Sequence, residues 1–267
     1  MDKNEEIQDP KFFRIRPIGN VLKLHSKNDD KDICICTLNC RSLAKRALEV
    51  RDLIIVEHID LIVLTETWIV NNDSDKDVLG LACPLGYTFL SVPRIGKTGG
   101  GVAIIFRQEF DCKLCCSESK PNIEYLQVKV NILEEKKSLL LIALYRPPNQ
   151  SLEIFLDEIE EILQLCLLRN NLPVILCGDF NIRMDCVGDR GTIQFNQVLQ
   201  EWSMNQIIDF PTHDKGHTLD LFVTSEPKMV KKVHANAACS SDHCAVIVHI
   251  DITVKKLDLT YCEIKSR

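Results

Sequence analysis

Six short motifs carry acidic, amide and imidazole side chains from one end of the chain to the other. They are Leu38-Asn39, Thr65-Glu66-Thr67, Tyr145-Arg146-Pro147, Gly178-Asp179-Phe180-Asn181, Thr218-Leu219-Asp220 and Ser241-Asp242-His243. Each stands at the C-terminal end of an apolar run or beside one, where the strands of a sheet deliver side chains to a shared face. Carboxylates, amides and a histidine converging there are the inventory for a hard divalent cation and an activated water. Taken alone, Glu66 reads as a mere strand-end residue. Asp179 and Asn181 say more: a period of two puts both on one side and turns Phe180 toward the core. Asp220 lies among Leu219, Leu221 and Phe222, where an ionised carboxylate is costly unless paired. His243 is its natural partner.

Other patterns carry less. Gly96-Lys97-Thr98 before Gly99-Gly100-Gly101 invites a phosphate-loop reading, but Ser91 stands where that motif needs its first glycine. The run Val102–Phe106 that follows reads as a strand, so the glycines mark a tight turn. Arg94 and Lys97 beside that turn are cations that a phosphate could meet. His213 and His217 are four apart, but Pro211 and Gly216 make their segment a loop. Of the 13 cysteines, Cys112, Cys115 and Cys116 include one C-x-x-C without the second pair that a zinc site needs. Most others lie in apolar runs, where a thiol behaves as a small hydrophobe. The expectation is a reduced, intracellular protein.

The elements that must position these residues follow from periodicity. Strands are expected at Ile33–Leu38, Ile59–Leu64, Tyr87–Val92, Val102–Arg107, Tyr125–Val130, Leu139–Tyr145, Val174–Cys177, Gln206–Asp209, Thr218–Val223 and Ala245–Ile250. Ser42 is placed to cap a helix whose Leu43, Ala47, Val50 and Ile54 share a face. Ser151 caps a second helix carrying Leu152, Phe155, Ile159, Ile162 and Cys166, and Thr192 opens a third with Phe195, Val198, Leu199 and Trp202 inward. A loop is expected around Asn71–Asp75. About ten strands to three helices, some strands joined by helices and others by hairpins, predicts α/β architecture with two packed mixed sheets covered by helices.

At 267 residues, 45% hydrophobic and 26% charged, the chain suits one core. Residues 32–252 are expected to form the domain, 1–31 a flexible extension, and 253–267 a tail or linker. The net charge of −6 excludes binding of nucleic acid by bulk charge alone; a local basic face, a metal or a basic partner would be needed. No apolar run reaches the length of a membrane span, and the charged start is unlike a signal peptide.

In their joint order these residues resemble the endonuclease/exonuclease/phosphatase superfamily from about Asp32 to Ile252, with the texture of LINE-type (non-LTR) retrotransposon endonucleases. The resemblance rests on Leu38-Asn39-Cys40-Arg41-Ser42-Leu43, Leu64-Thr65-Glu66-Thr67-Trp68, Gly86-Tyr87 through Pro93-Arg94, Gly99-Gly100-Gly101-Val102-Ala103, Tyr145-Arg146-Pro147-Pro148, Gly178-Asp179-Phe180-Asn181 and Pro211-Thr212-His213 through Asp220. It implies a DNase I-like four-layer sandwich and a Mg²⁺-dependent DNA endonuclease, with Mn²⁺ as a substitute, that nicks target DNA and leaves a 3′-hydroxyl.

It also implies residue roles. Asn39 and Glu66 would hold the metal, with Asp242 completing the site. Asp179 would orient or deprotonate water, with Asn181 holding that water or the phosphate. His243, aligned by Asp220, would bind the scissile phosphate, and Tyr145 would support the leaving group or phosphate. Arg41, Arg94, Lys97, Arg146 and His217 are the side chains expected along the DNA. Arg41 stands where abasic-site endonucleases carry an acid. A reverse transcriptase, as a further domain or a partner, is implied outside these residues; the chain then reads as an isolated domain, a truncated copy or a domesticated derivative. The implied location is the nucleus. Two alternatives stay open: another phosphoesterase of the same fold, and a catalytically silent relic of a mobile element.

Overall fold

A computed structural model describes residues 32–70, 73–94, 99–132, 135–169, 171–237 and 239–252. The unbroken apolar runs become central strands. β1 (Asp32–Asn39), β2 (Leu61–Thr65), β7 (Lys137–Tyr145) and β8 (Val174–Asp179) are nearly buried throughout, as strands covered on both faces must be. β1 runs parallel to β2, and β7 to β8. A parallel pair needs a crossover, and helices supply both: α1 (Leu43–Val56) joins β1 to β2, and α3 (Leu152–Arg169) joins β7 to β8.

The remaining strands are β3 (Tyr87–Val92), β4 (Val102–Arg107), β5 (Phe110–Ser119), β6 (Glu124–Ile132), β9 (Asn205–Gln206), β10 (Asp220–Thr224), β11 (Val230–Asn236) and β12 (Ala245–Asp251). With α2 (Asp73–Ala82) and α4 (Arg190–Glu201), they complete the described elements, apart from a short 3₁₀ turn at Pro227–Met229. One six-stranded sheet has the order β11-β12-β1-β2-β4-β3, the other β5-β6-β7-β8-β10-β9. Ile35, Val63, Ile104 and Val248 of the first pack against Val128, Leu141, Cys177 and Phe222 of the second. α1 and α2 cover the outer face of one sheet, and α3 and α4 that of the other. The result is the expected four-layer sandwich.

This topology sets the rim. The parallel pairs bring the C-terminal ends of β1 and β2 together, and likewise those of β7 and β8. Antiparallel β10 starts there, with Asp220 opposite Asp179. β12 starts beside the end of β1, with Val246 opposite Thr37. At Gly178, φ is +146° and a Cβ would sit 1.8 Å from the Leu144 carbonyl oxygen, so only glycine lets β8 lie this close to β7.

Several local expectations are corrected. The expected loop at Asn71–Asp75 gives way from residue 73 to α2; Asn71 and Asn72 lie outside the described residues. Leu79 and Ala82 bury that helix against α1, and its acidic start suits a helix N-terminus. Ser42 does not cap α1 with its side chain and has φ +84°. Instead the N–H groups of Ser42 and Leu43 donate to the carbonyls of Glu66 and Thr67, at 2.8 and 3.0 Å. α4 begins at Arg190, because Asp189 accepts a hydrogen bond from the Gly191 N–H. Strand β9 is shorter than Gln206–Asp209, and β10 starts only at Asp220 because Asp185 holds the Thr218 N–H at 2.9 Å. The unexpected strands β5 and β11 are edges with half-exposed, polar patterns. They make twelve strands and four α-helices among the described residues, not ten and three. The segments 1–31 and 253–267 and residue Lys97 lie outside the described residues.

Candidate active site

Asn39 ends β1 fully buried, and its amide spans two carboxylates. Its Nδ2 donates to Glu66 Oε1 at 3.1 Å and to Asp179 Oδ2 at 2.9 Å, so the two sheets meet through one side chain. Its Oδ1 accepts the Arg41 N–H at 3.2 Å. Glu66, just past β2, also accepts the Tyr145 hydroxyl at 3.1 Å. Asn181 adds two bonds to Asp179: its N–H to Oδ1 at 3.0 Å and its Nδ2 to Oδ2 at 3.1 Å. Glu66 and Asn181 hold left-handed backbone conformations, φ +51° and +50°. Such strain persists only where the surroundings over-determine it.

On the other flank, His243 Nδ1 lies 2.7 Å from Asp220 Oδ2, both buried. Thr212 Oγ1 accepts the N–H groups of Leu219 and Asp220, which fixes the start of β10. Ser241 Oγ donates to the Asn39 carbonyl at 2.7 Å, tying the loop that carries Asp242 and His243 to β1. A carboxylate oxygen of Asp179, one of Asp220 and a ring nitrogen of His243 lie within 4.8 Å of one another.

The electrostatics divide the roles. Burial pushes Asp179 up to about 7, helped by the neighbouring Asp220 and opposed by His243 and the Asn39 and Asn181 donors. Burial works against charge on His243, but Asp220 outweighs it and the imidazole rises to about 9. Tyr145 is pushed well above its ordinary range by burial and by Glu66, so it stays a phenol that can donate. A proton acceptor poised near neutrality thus stands beside an imidazolium that persists above it.

Asp242 is committed in part: it pairs with Arg41, and its Oδ2 lies 3.4 Å from His213 Nε2. Its Oδ1 is buried without a hydrogen-bond partner. That orphaned oxygen is an acceptor that a cation could use, and donor atoms of Asp242, His213 and His243 lie within 4.8 Å of one another.

Other expected DNA contacts are turned elsewhere. Arg94 pairs with buried Glu124 and covers the Tyr145 ring, its Cζ 5.5 Å from the centroid. Arg146 is buried, donating to the carbonyls of Asn181 and Gln150 at 3.1 and 2.8 Å, and braces the site from behind. His217 is held by Asp185 at 3.0 Å.

Two neighbours of the site receive no role from the sequence, although His213 lies in the Pro211-Thr212-His213 motif. His213 packs edge-on against His243, with centroids 4.6 Å apart, through a bridge joining their loops. Burial and His243 lower its pKa. Glu124 opens β6 with no periodic signal to single it out. Only the strand register, which sets it opposite Tyr145, brings it to the site.

A two-sheet sandwich with this carboxylate, amide and imidazole rim has the DNase I-like fold. The endonuclease/exonuclease/phosphatase family model matches residues 36–243, and the chain belongs to that family of nucleases and phosphatases. No curated protein sequence matches it. Among solved structures, it is similar to the AP endonuclease LMAP from Leishmania major, at 14% identity and TM-score 0.69, covering 87% of this chain and 92% of that one. It is also similar to the endonuclease domain of TRAS1, a telomere-specific non-LTR retrotransposon, at 16% identity and TM-score 0.62, covering 82% and 98%. A variant of the 3′ phosphatase NExo from Neisseria, bound to product DNA hairpin, matches at 19% identity and TM-score 0.62, covering 82% and 99%. Among the described residues no helix is long and apolar enough to cross a membrane.

Proposed function

We propose that this chain is a divalent-metal-dependent DNA endonuclease of the retrotransposon type, which nicks target DNA and leaves a 3′-hydroxyl. The observation that carries this reading is the cluster of Asp179, Asp220 and His243, a near-neutral acceptor beside a carboxylate-held imidazolium. Hydrolysis of a phosphodiester needs both: a base for the attacking water, and positive charge where the phosphoryl oxygens gain negative charge.

In this reading, Asp179 takes the proton from water, and the Asn39 and Asn181 donors aim its oxygens. His243 holds a non-bridging phosphate oxygen while Asp220 keeps its ring fixed and charged. The P–O3′ bond breaks, and the Tyr145 hydroxyl supports the departing oxygen or the phosphate. Glu66, with Asp242 and Asn39, would hold Mg²⁺ or Mn²⁺, which supplies Lewis-acid stabilisation of the same charge. Arg41 lies beside Asp242 at the mouth and is the cation best placed to meet the DNA backbone. The reading places the enzyme in the nucleus, with a reverse transcriptase domain or partner using the nick.

Relaxation of supercoiled plasmid by the purified chain tests this, with Mg²⁺ or EDTA and with Asp179→Ala and His243→Ala variants. Metal-dependent nicking that both variants lose is the expected result. Folded wild-type protein that leaves the plasmid intact would overturn it.

A further inference from the structure

Glu124 is a fully buried carboxylate that the proposed chemistry does not use. Two groups bind it, and the register adds a neighbour. The Arg94 Nε pairs with Oε1, the Gly101 N–H donates to Oε2 at 2.5 Å, and the register sets Glu124 directly opposite Tyr145. Arg94 follows β3 and Gly101 precedes β4, in one sheet; Glu124 opens β6 in the other. The carboxylate is therefore a pin between the two sheets at the rim.

The pin sits behind a second inter-sheet contact, the Tyr145 hydroxyl on Glu66. Arg94 lies over the Tyr145 ring, within the range of a cation–π contact. The Gly99–Gly101 turn holds the chain just past Glu66: the Thr67 N–H donates to the Gly101 carbonyl at 3.2 Å and the Trp68 N–H to that of Gly100 at 2.8 Å. The glycines are shaped for this. A Cβ at Gly100 would come 2.3 Å from Arg94 Cζ, and one at Gly101 2.5 Å from Thr67 Oγ1. Both glycines also hold positive φ, as the turn requires, and at Gly100 the missing side chain leaves room for the Arg94 guanidinium.

Buried ion pairs add little net stability compared with apolar residues of the same volume. A pair whose carboxylate is fully buried, beside Tyr145, is better explained by the geometry it imposes. We propose that Glu124 is a positioning residue: with Arg94 and Gly101 it locks the sheets at the rim and holds Tyr145 against Glu66. This inference rests on the proposed nuclease site and names part of its support.

The test is a double-mutant cycle on plasmid nicking, with wild type, Glu124→Gln, Tyr145→Phe and the double variant. Glu124→Gln is expected to lower kcat about tenfold or more, the scale of losing a group that orients a metal-site ligand, with KM for DNA changed less than about twofold. In the Tyr145→Phe background the same change is expected to cost less than about twofold, because two residues acting as one unit are not additive. Equal losses in both backgrounds, or a wild-type rate for Glu124→Gln, would overturn the proposal. Should Glu124→Gln not fold, Arg94→Lys keeps a charge for Glu124 but removes the planar group over Tyr145; the same kcat pattern is expected, and wild-type kinetics would overturn it.

A measurement independent of activity separates this proposal from the nuclease reading. With fluorotyrosine in place of the four tyrosines, the Tyr145 fluorine resonance, assigned with Tyr145→Phe, is expected to shift or broaden in Arg94→Lys and Glu124→Gln while that of Tyr87 stays. An unmoved Tyr145 resonance refutes the positioning role even where nicking is absent.

Discussion

Replacing Asp220 by asparagine tests the electrostatic division of the site most directly. In the folded chain His243 rises from 6.5 to about 9, against a burial cost, because Asp220 lies 2.7 Å from Nδ1. That displacement corresponds to about 3 kcal/mol in favour of the cation, at about 1.4 kcal/mol per pH unit. The amide that replaces the carboxylate is neutral, so the largest contribution favouring the cation goes; burial then opposes it, with Asp179 and Asp242 still favouring it. The imidazole therefore titrates at lower pH, and kcat/KM on the alkaline side should fall. The wild-type profile should be bell-shaped, rising as Asp179 loses its proton near 7 and falling as His243 loses its own near 9. In Asp220→Asn the alkaline limb should move well toward acid. The histidine Cε1–H resonances, followed by NMR against pH without metal, read the same quantity independently of turnover. A His243 that titrates near 6.5 in the wild type, or at an unchanged value in Asp220→Asn, would refute the reasoning.

Stability should follow the same groups. His243 contributes fully below pH 6.5, and its contribution is lost as pH rises through about 9. Asp179, raised from 3.8 to about 7, is easily buried when protonated and grows costly as it ionises. Asp179 lowers stability from about pH 4 to about pH 7 and His243 from about pH 6.5 to about pH 9, and urea midpoints that rise across that whole span would contradict this. Asp179→Asn should cost about 10² to 10⁴ in nicking rate, the usual worth of a general base, without lowering the melting temperature; a rate within about tenfold of wild type would remove Asp179 from that role. Gly178→Ala should destabilise by more than about 4 kcal/mol, since the Cβ meets the Leu144 carbonyl oxygen; an unchanged melting temperature would show that the β7–β8 pair can part. Mg²⁺ at about a hundred times its Kd should raise stability by about 2.7 kcal/mol, reversed by EDTA. No shift in melting temperature would argue against a site among these carboxylates.

The sequence pattern was most informative where one interaction dominates. Central strands such as β1, β2 and β8 are buried on both faces and read as unbroken apolar runs. α1 and α3 show their inward faces by spacing alone. Edge strands β5 and β11 pair on one side and stay half-exposed, so their composition resembles loop. α2 buries only a few side chains behind an acidic start, and its first turn reads as a polar segment. Ser42 looked like a cap by residue type, yet the carbonyls of Glu66 and Thr67 already satisfy the helix N-terminus. Residue type announces what a side chain could do locally, while competition from distant backbone decides what it does.

The same division runs through the site. Residue chemistry and order along the chain determined the inventory: Asn39, Glu66, Tyr145, Asp179, Asn181, Asp220 and His243 each sit at the end of a run that had to become a strand or abut one. The Asp220 and His243 pair could be argued from cost alone, because a carboxylate amid Leu219, Leu221 and Phe222 needs a partner. Tertiary structure decided where each charge is used. It turned Arg94 away from solvent onto Glu124 and Tyr145, gave His217 to Asp185 and Arg41 to Asp242, and brought His213 against His243. Those pairings join residues tens to hundreds of positions apart, set by strand register and by the packing of one sheet on the other. Periodicity carries information only between near neighbours along the chain, so it could supply the groups but not their partners.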